Sequence, residues 1–232
     1  MLVGRALSLA VSVTGLITLA PLMAVIAVAI KLDSTGPVFF VQERAGLLGR
    51  AFKLIKFRTM REVLGPRSEW VRDNEARITR VGRWLRMFRL DELPQFINIL
   101  RGDMNLVGPR PHPIANLALF RERIPYYWLR CAVPPGVTGW AQIRYGYANS
   151  LEEETEKMRY DLFYIKKMSW TFDLRILCDS VKVVCLGRGA GRSRSYGPEP
   201  SVVDVPAPPS PAQGEAGAMT PAGGNGARRR DG

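Results

Sequence analysis

The sequence predicts a small α/β domain joined to a membrane helix. Three observations carry this: an uncharged apolar run near the N-terminus, two β-rich segments after it, and helical periodicities in the remainder. From Ala6 to Ile30 no residue is charged, a run of 25 positions against the roughly 20 that a helix needs to cross a hydrocarbon core. Arg5 and Lys31 bracket the run, so flanking charge sets no orientation. Pro21 lies inside it, where it removes one backbone donor and predicts a bend. Two topologies satisfy such a run. One is a spanning helix, preferred on the residues alone because a kinked helix can still span. The other is a helix-break-helix that enters and leaves on one side. A signal peptide fits less well, because the run is long and no small-residue cleavage site ends it.

Asp33-Ser34-Thr35-Gly36-Pro37 then stops the helix. Val38 to Arg44 and Phe52 to Met60 read as strands, with Gly46-Leu47-Leu48-Gly49 as the turn between them. Arg61 to Arg77 is polar and reads as loop. Ile78 to Phe88 places Val81, Trp84, Leu85 and Phe88 at helical spacing. A further helix is expected from Asp91 to about Leu100. Gly102 to Pro113 and Pro134 to Gly139 read as Gly/Pro loops. Leu151 to Met168 is an amphipathic helix, with acids early and Lys166-Lys167 late, as the macrodipole favours. Leu174, Leu177, Cys178, Val181, Val184 and Cys185 form an apolar stripe on a last helix. Core packing is its simpler explanation and an in-plane membrane helix the alternative. From Gly187 onward Pro, Gly, Ala, Ser and Arg dominate, too little apolar area to offset ordering entropy, so a disordered tail is expected at 187–232.

The chain has 232 residues and a net charge of +12; the tail holds six arginines against four acids, so +10 lies before Gly187. A basic body wants an anionic partner. No zinc finger or recognition helix is evident, which argues against nucleic acid. Cys131, Cys178 and Cys185 form no C-x-x-C pair and read as reduced packing thiols. With His112 the sole histidine, a histidine-rich metal site is excluded.

Three segments carry chemistry. Leu90-Asp91-Glu92-Leu93-Pro94-Gln95 sets two carboxylates before a helix. Asp91 as N-cap and Glu92 as first-turn acid is the plain explanation. The same placement, beside Arg83, Arg86 and Arg89, suits an ionised carboxylate that attacks phosphorus, with its neighbour relaying a proton or helping to bind a metal. Gly102 to Pro111 offers glycines through which amides approach an anion, and Arg110 as a planar fork for phosphate. Lys56 and Arg58 share one face of a strand and Phe57 the other; two such cations can cradle a diphosphate. Carboxylates without clustered histidine or thiols suit a hard ion such as magnesium.

These segments resemble the bacterial sugar transferases, the monotopic polyprenyl-phosphate phosphoglycosyl transferases. The matching stretches are D-S-T-G-P-V-F-F (Asp33 to Phe40), K-F-R-T-M (Lys56 to Met60), L-D-E-L-P-Q-F (Leu90 to Phe96), G-D-M-N-L-V-G-P-R-P (Gly102 to Pro111) and P-G-V-T-G-W-A-Q (Pro135 to Gln142). They lie in order over roughly Gly4 to Leu186. The resemblance implies a re-entrant membrane helix over 1–35, bent at Pro21, with both ends cytoplasmic, in place of the span. It implies a cytoplasmic catalytic domain over 36–186: a small α/β membrane-associated unit with a short β-hairpin and amphipathic interfacial helices. It implies that Asp91 is a covalent nucleophile, that it and a Mg2+ cofactor meet, and that Glu92 is its partner. Lys56, Arg58 and Arg110 match the family's cationic positions near the diphosphate. The implied donor is a UDP-sugar, the acceptor a polyprenyl phosphate, and the setting the lipid of the bacterial inner membrane, on its cytoplasmic face. Two departures stand out. Ala20 replaces the serine that many members carry before the proline, and Arg144 falls out of register with their arginine after the Thr-Gly-Trp turn, although it too is a candidate ligand. The chain looks like the family's minimal catalytic unit. A non-catalytic membrane adaptor is the alternative, which leaves the Asp91-Glu92 pair unexplained. The sequence sets neither the sugar nor the oligomeric state.

Overall fold

A computed structural model describes residues 2–61, 76–146 and 148–185. The expected disordered tail, and most of the loop expected between Arg61 and Arg77, lie outside the described residues. The apolar run forms one helix, α1 (Leu2–Asp33), of 32 residues. It is helical through Pro21 and is not divided there. Proline deletes only the donor for the carbonyl of Ile17, and the turns on either side keep theirs. One face of α1 is buried at Ser8, Ser12, Ile26 and Ile30, while Ile17, Val25, Val28 and Leu32 on the other are 59–84% exposed. By length and composition α1 could cross a membrane.

Both ends of α1 dock on the same body. Arg5 donates to the carbonyls of Ile99 (2.7 Å) and Met104 (2.9 Å), and Ser8 Oγ accepts from the amide of Leu106 (3.2 Å). At the far end Ile26 and Ile30 pack with Phe57 and Leu85, and Asp33 Oδ2 accepts from the amide of Val81 (3.0 Å).

The expected hairpin is present: β1 (Phe39–Ala45) and β2 (Ala51–Phe57) pair antiparallel from Phe39↔Phe57 to Ala45↔Ala51. α2 (Arg80–Met87) is capped by Thr79 Oγ1, which accepts from Gly82 N at 2.9 Å. α3 (Gln95–Arg101) starts at Gln95 rather than at Asp91. Arg89 is left-handed (φ 56°) and Leu90–Glu92 form a 3-10 turn, so the α-helical ladder begins only after Pro94. Asn98 is fully buried and ties α3 to β2. Its Oδ1 accepts from Ile55 N (3.0 Å), and its Nδ2 donates to Lys53 O (2.8 Å) and to Asp103 Oδ2 (2.9 Å). Lys56 on β2 is thereby fixed relative to the 3-10 turn before α3.

The two expected Gly/Pro loops pair with each other as a parallel ladder, β3 (Asn105–Val107) with β4 (Gly136–Thr138). The loop glycines make backbone approach backbone rather than an anion. Gly108 N–H donates to Thr138 O at 2.9 Å, and a Cβ on Gly136 would stand 2.1 Å from Gly108 N. Gly136→Ala therefore forces β3 and β4 apart. A stability loss of about 2–3 kcal/mol is expected, read as a lower midpoint in thermal circular dichroism; an unchanged midpoint would refute this packing.

α4 (Ile114–Arg123), which the sequence did not reveal, precedes a 3-10 segment at Tyr127–Cys131. α5 (Trp140–Arg144) leads to the expected α6 (Leu151–Lys167), capped by Ser150 Oγ, and α7 (Trp170–Cys185). The main core gathers Ile99, Met104, Trp140, Tyr164 and Ile176. On α7 the core contact comes from Phe172, Ile176 and, of the stripe, Leu177, whereas Leu174, Cys178 and Val181 are exposed. The stripe is thus divided: Leu177 packs on the core, while Leu174, Cys178 and Val181 point outward. Cys131 and Cys178 are free thiols.

Candidate active site

Asp91 and Glu92 adjoin on the 3-10 turn between α2 and α3, 7% and 5% exposed, in the wall of a cavity of about 400 Å³. Nine basic side chains and three acidic ones, Asp91, Glu92 and Glu154, line that cavity. Such an excess suits the cavity to a multiply charged anion.

The two carboxylates differ in state. Glu92 Oε1 accepts from Arg110 Nη2 at 2.8 Å and lies 3.4 Å from Arg89 Nη1. Burial pushes Glu92 up, but these guanidiniums outweigh it and hold the carboxyl at about 2. It stands as an ionised anchor for Arg110. Arg110 Nη1 also donates to Gln142 Oε1 at 3.1 Å, so its fork is set by α5 as well as by Glu92. Asp91 is raised by burial and by the charge of Glu92, in excess of the lowering by Lys56, Arg110 and Arg86. The arginines expected to keep Asp91 ionised are thus partly spent on Glu92.

Lys56 faces the same cavity with its ammonium 5.2 Å from the Phe40 ring centroid, and burial lowers it to about 8. Arg58 shares its face, as the alternation predicts. Its guanidinium, however, holds the Asp33–Pro37 turn: it donates to Thr35 O (2.5 Å), Ser34 O (2.7 Å) and Ser34 Oγ (2.9 Å). Gly36, at φ 113°, leaves the space that Arg58 fills. The D-S-T-G-P stretch is thereby a clasp between α1 and the cavity wall. Arg144 does not join this site: it stacks on Trp140 at 4.3 Å and lines a different pocket. Pro21, inside α1, does not line the cavity.

A buried charge network backs the far wall. Arg130 Nη2 donates to Asp161 Oδ2 (2.6 Å) and to the carbonyl of Arg110 (3.2 Å), and Arg130 Nη1 donates to Tyr127 Oη at 2.5 Å. Tyr127 Oη donates in turn to Glu154 Oε1 at 2.6 Å, and His112 Nε2 stands 3.2 Å from the same oxygen. Burial and Arg130 lower His112 to about 3, leaving it neutral. The network fixes the backbone that presents Arg110.

Sequence reasoning missed Arg44, Gln142, Glu154 and Lys157, all lining the cavity. Phe40, Gln42 and Arg44 alternate along β1 and all face it, so period two could have found Arg44. Gln142 closes the P-G-V-T-G-W-A-Q stretch, which gave it no role of its own, and Glu154 carried no local signal.

Among the described residues no group of three or more His, Cys, Asp or Glu could cage a metal. A single carboxylate, Asp91, is what this wall would offer a hard ion such as magnesium. The raised Asp91 fits that role, since a neighbouring cation would restore its charge.

The sequence pattern of the bacterial sugar transferases matches residues 1–187. The chain is 40% identical over 189 residues to the UDP-N-acetylgalactosamine-undecaprenyl-phosphate N-acetylgalactosaminephosphotransferase of Aeromonas hydrophila, covering 80% of this chain and 44% of that protein. It is 42% identical over 179 residues to the UDP-glucose:undecaprenyl-phosphate glucose-1-phosphate transferase of Escherichia coli (strain K12), covering 76% and 39%. It is 41% identical over 194 residues to the exopolysaccharide production protein PSS of Rhizobium leguminosarum bv. phaseoli, covering 81% and 96%. The chain thus spans less than half the length of the first two relatives and nearly all of the third.

Proposed function

The chain belongs to the bacterial sugar transferase family, and from that premise we propose that it moves a sugar 1-phosphate from a UDP-sugar to a polyprenyl phosphate such as undecaprenyl phosphate. The observation that carries this reading is Asp91: a buried carboxylate in the wall of a cavity of about 400 Å³ dominated by cations. An Asp91 oxygen attacks the β-phosphorus of the donor. The bond from that phosphorus to the bridging oxygen breaks, and the oxygen leaves with UMP. An acyl-phosphate holding the sugar results. An oxygen of polyprenyl phosphate then attacks the same phosphorus and frees the Asp91 carboxylate. Lys56, Arg110 and Arg44 offset charge that develops on the phosphoryl oxygens. Glu92 keeps Arg110 in place, and Arg58 keeps the cavity closed against the α1 turn. Asp91 is the residue that would hold a magnesium ion, which would supply further charge stabilisation when bound.

A membrane setting follows from the exposed apolar face of α1. Both ends of α1 hold the same body, which supports the reading that both lie on one side, the cytoplasmic face of the inner membrane, and argues against a simple span. The product would begin assembly of an exopolysaccharide or related glycoconjugate. The relatives' names differ in the sugar, N-acetylgalactosamine in one and glucose in another, so the donor is to be found by assay. Purified chain with magnesium, undecaprenyl phosphate and a panel of UDP-sugars is expected to release UMP with one of them. With that donor alone, intact mass should rise by one phosphosugar. Lipid product formed without that mass ever appearing would exclude the covalent route.

A further inference from the structure

A second pocket, of about 280 Å³, lies apart from the candidate active site and shares no lining residue with it. Trp140 and Arg144 of α5, Phe163 and Lys167 of α6, and Phe172 and Arg175 of α7 line it. The three rings form an apolar floor, with Phe172 edge-on to Trp140 (5.0 Å) and to Phe163 (6.1 Å). Three cations surround that floor, with the Arg144 and Arg175 guanidinium carbons 4.3 and 5.7 Å from the Trp140 ring centre. No acid lines the pocket, and among the described residues neither Lys167 nor Arg175 has a carboxylate partner. A guanidinium stacked on a ring keeps its charge while losing freedom, which suits it to wait for an anion.

The helical phase of α7 places this pocket at an edge. At about 100° per residue, Trp170, Leu174, Cys178 and Val181 share one face. Trp170, Leu174 and Val181 are 63%, 47% and 60% exposed. Arg175 lies just beyond one border of that face, beside the pocket. Across the other border Asp173 meets α1, its Oδ2 3.3 Å from where a Cβ on Gly4 would stand. The apolar face of α7 therefore adjoins that of α1, and the cationic pocket opens along its polar margin. Phospholipid phosphates occupy that depth when acyl chains cover an apolar helix face.

We propose that this pocket binds the headgroup phosphate of an anionic membrane phospholipid, with Lys167 and Arg175 on the phosphate and Trp170 and Leu174 against the acyl chains. The site rests on the membrane setting given above and is independent of the transfer chemistry. Its test uses the full chain in neutral detergent, titrated by native mass spectrometry with dioctanoyl phosphatidylglycerol, dioctanoyl phosphatidylcholine and inorganic phosphate. Phosphatidylglycerol is expected to bind at least about tenfold more tightly than phosphatidylcholine. The pair Lys167→Gln/Arg175→Gln is expected to remove about a tenfold or greater part of that affinity, from the electrostatic share of each cation, while UMP release in detergent is unchanged. Should that pair fail to fold, Lys167→Gln alone, at an exposed helix end, should cost about three- to tenfold. Equal binding of the two lipids, or undiminished phosphatidylglycerol binding by a folded glutamine variant, would overturn the proposal. Inorganic phosphate displacing the lipid at matched concentration would make this a free-phosphate site and overturn the lipid assignment.

Discussion

Asp91→Asn lowers UMP release by at least about a thousandfold while the protein stays folded and membrane-bound. The loss is large because an amide cannot form the acyl-phosphate, and removing a nucleophile removes the step rather than slowing it. The fold survives for a separate reason. Asparagine keeps the shape of the side chain but discards a charge that burial and Glu92 both oppose. The thermal midpoint should therefore stay level or rise, as happens where a site stores strain for function. UMP release and a melting curve on the same preparation check both signs. Near-native turnover by the variant would sink the nucleophile assignment, and a collapsed midpoint would mean that Asp91 holds the fold instead.

Arg130→Met is the second large effect, and it falls on stability first. Arg130 is 3% exposed and joins Asp161, Tyr127 and the carbonyl of Arg110. Methionine fills similar volume but leaves Asp161 buried without its salt-bridge partner and Glu154 with Lys157 as its remaining cation at 3.6 Å. Breaking such a network from one side costs about 3–5 kcal/mol, readable by urea unfolding in detergent. The fraction that folds should also bind the donor less well, because the Arg110 backbone loses its tether. Arg130→Lys keeps the charge without the fork and should fall between the two. A methionine variant as stable as the parent would show that the network is not structural.

Some of the site was legible in single stretches of sequence. L-D-E-L-P gave the carboxylate pair, K-F-R gave two cations on one strand face, and G-P-R-P gave Arg110; all of these line one cavity. Their division of labour was not legible. Arg58 faces the cavity yet spends its donors on Ser34 and Thr35, 24 and 23 positions earlier in the chain. Arg144, four residues from Trp140, turns to a separate pocket, while Gln142 between them reaches Arg110. A helix as short as α5 sends neighbouring side chains to different neighbours, and only the packing around it decides which.

The sequence by itself determined what depends on near neighbours. An uncharged run of 25 residues had to be an apolar helix, alternating residues made the β1–β2 hairpin, and 3.6-residue periodicity made α6 and α7. Tertiary structure alone decided what depends on residues distant in the chain. It paired the two Gly/Pro loops as β3 and β4, delayed α3 to Gln95, turned Leu174, Cys178 and Val181 of the α7 stripe outward while Leu177 met the core, and tied both ends of α1 to one body. Those outcomes turn on which backbone groups and charges meet in space, and the free energy of such meetings belongs to pairs of segments that no single stretch contains.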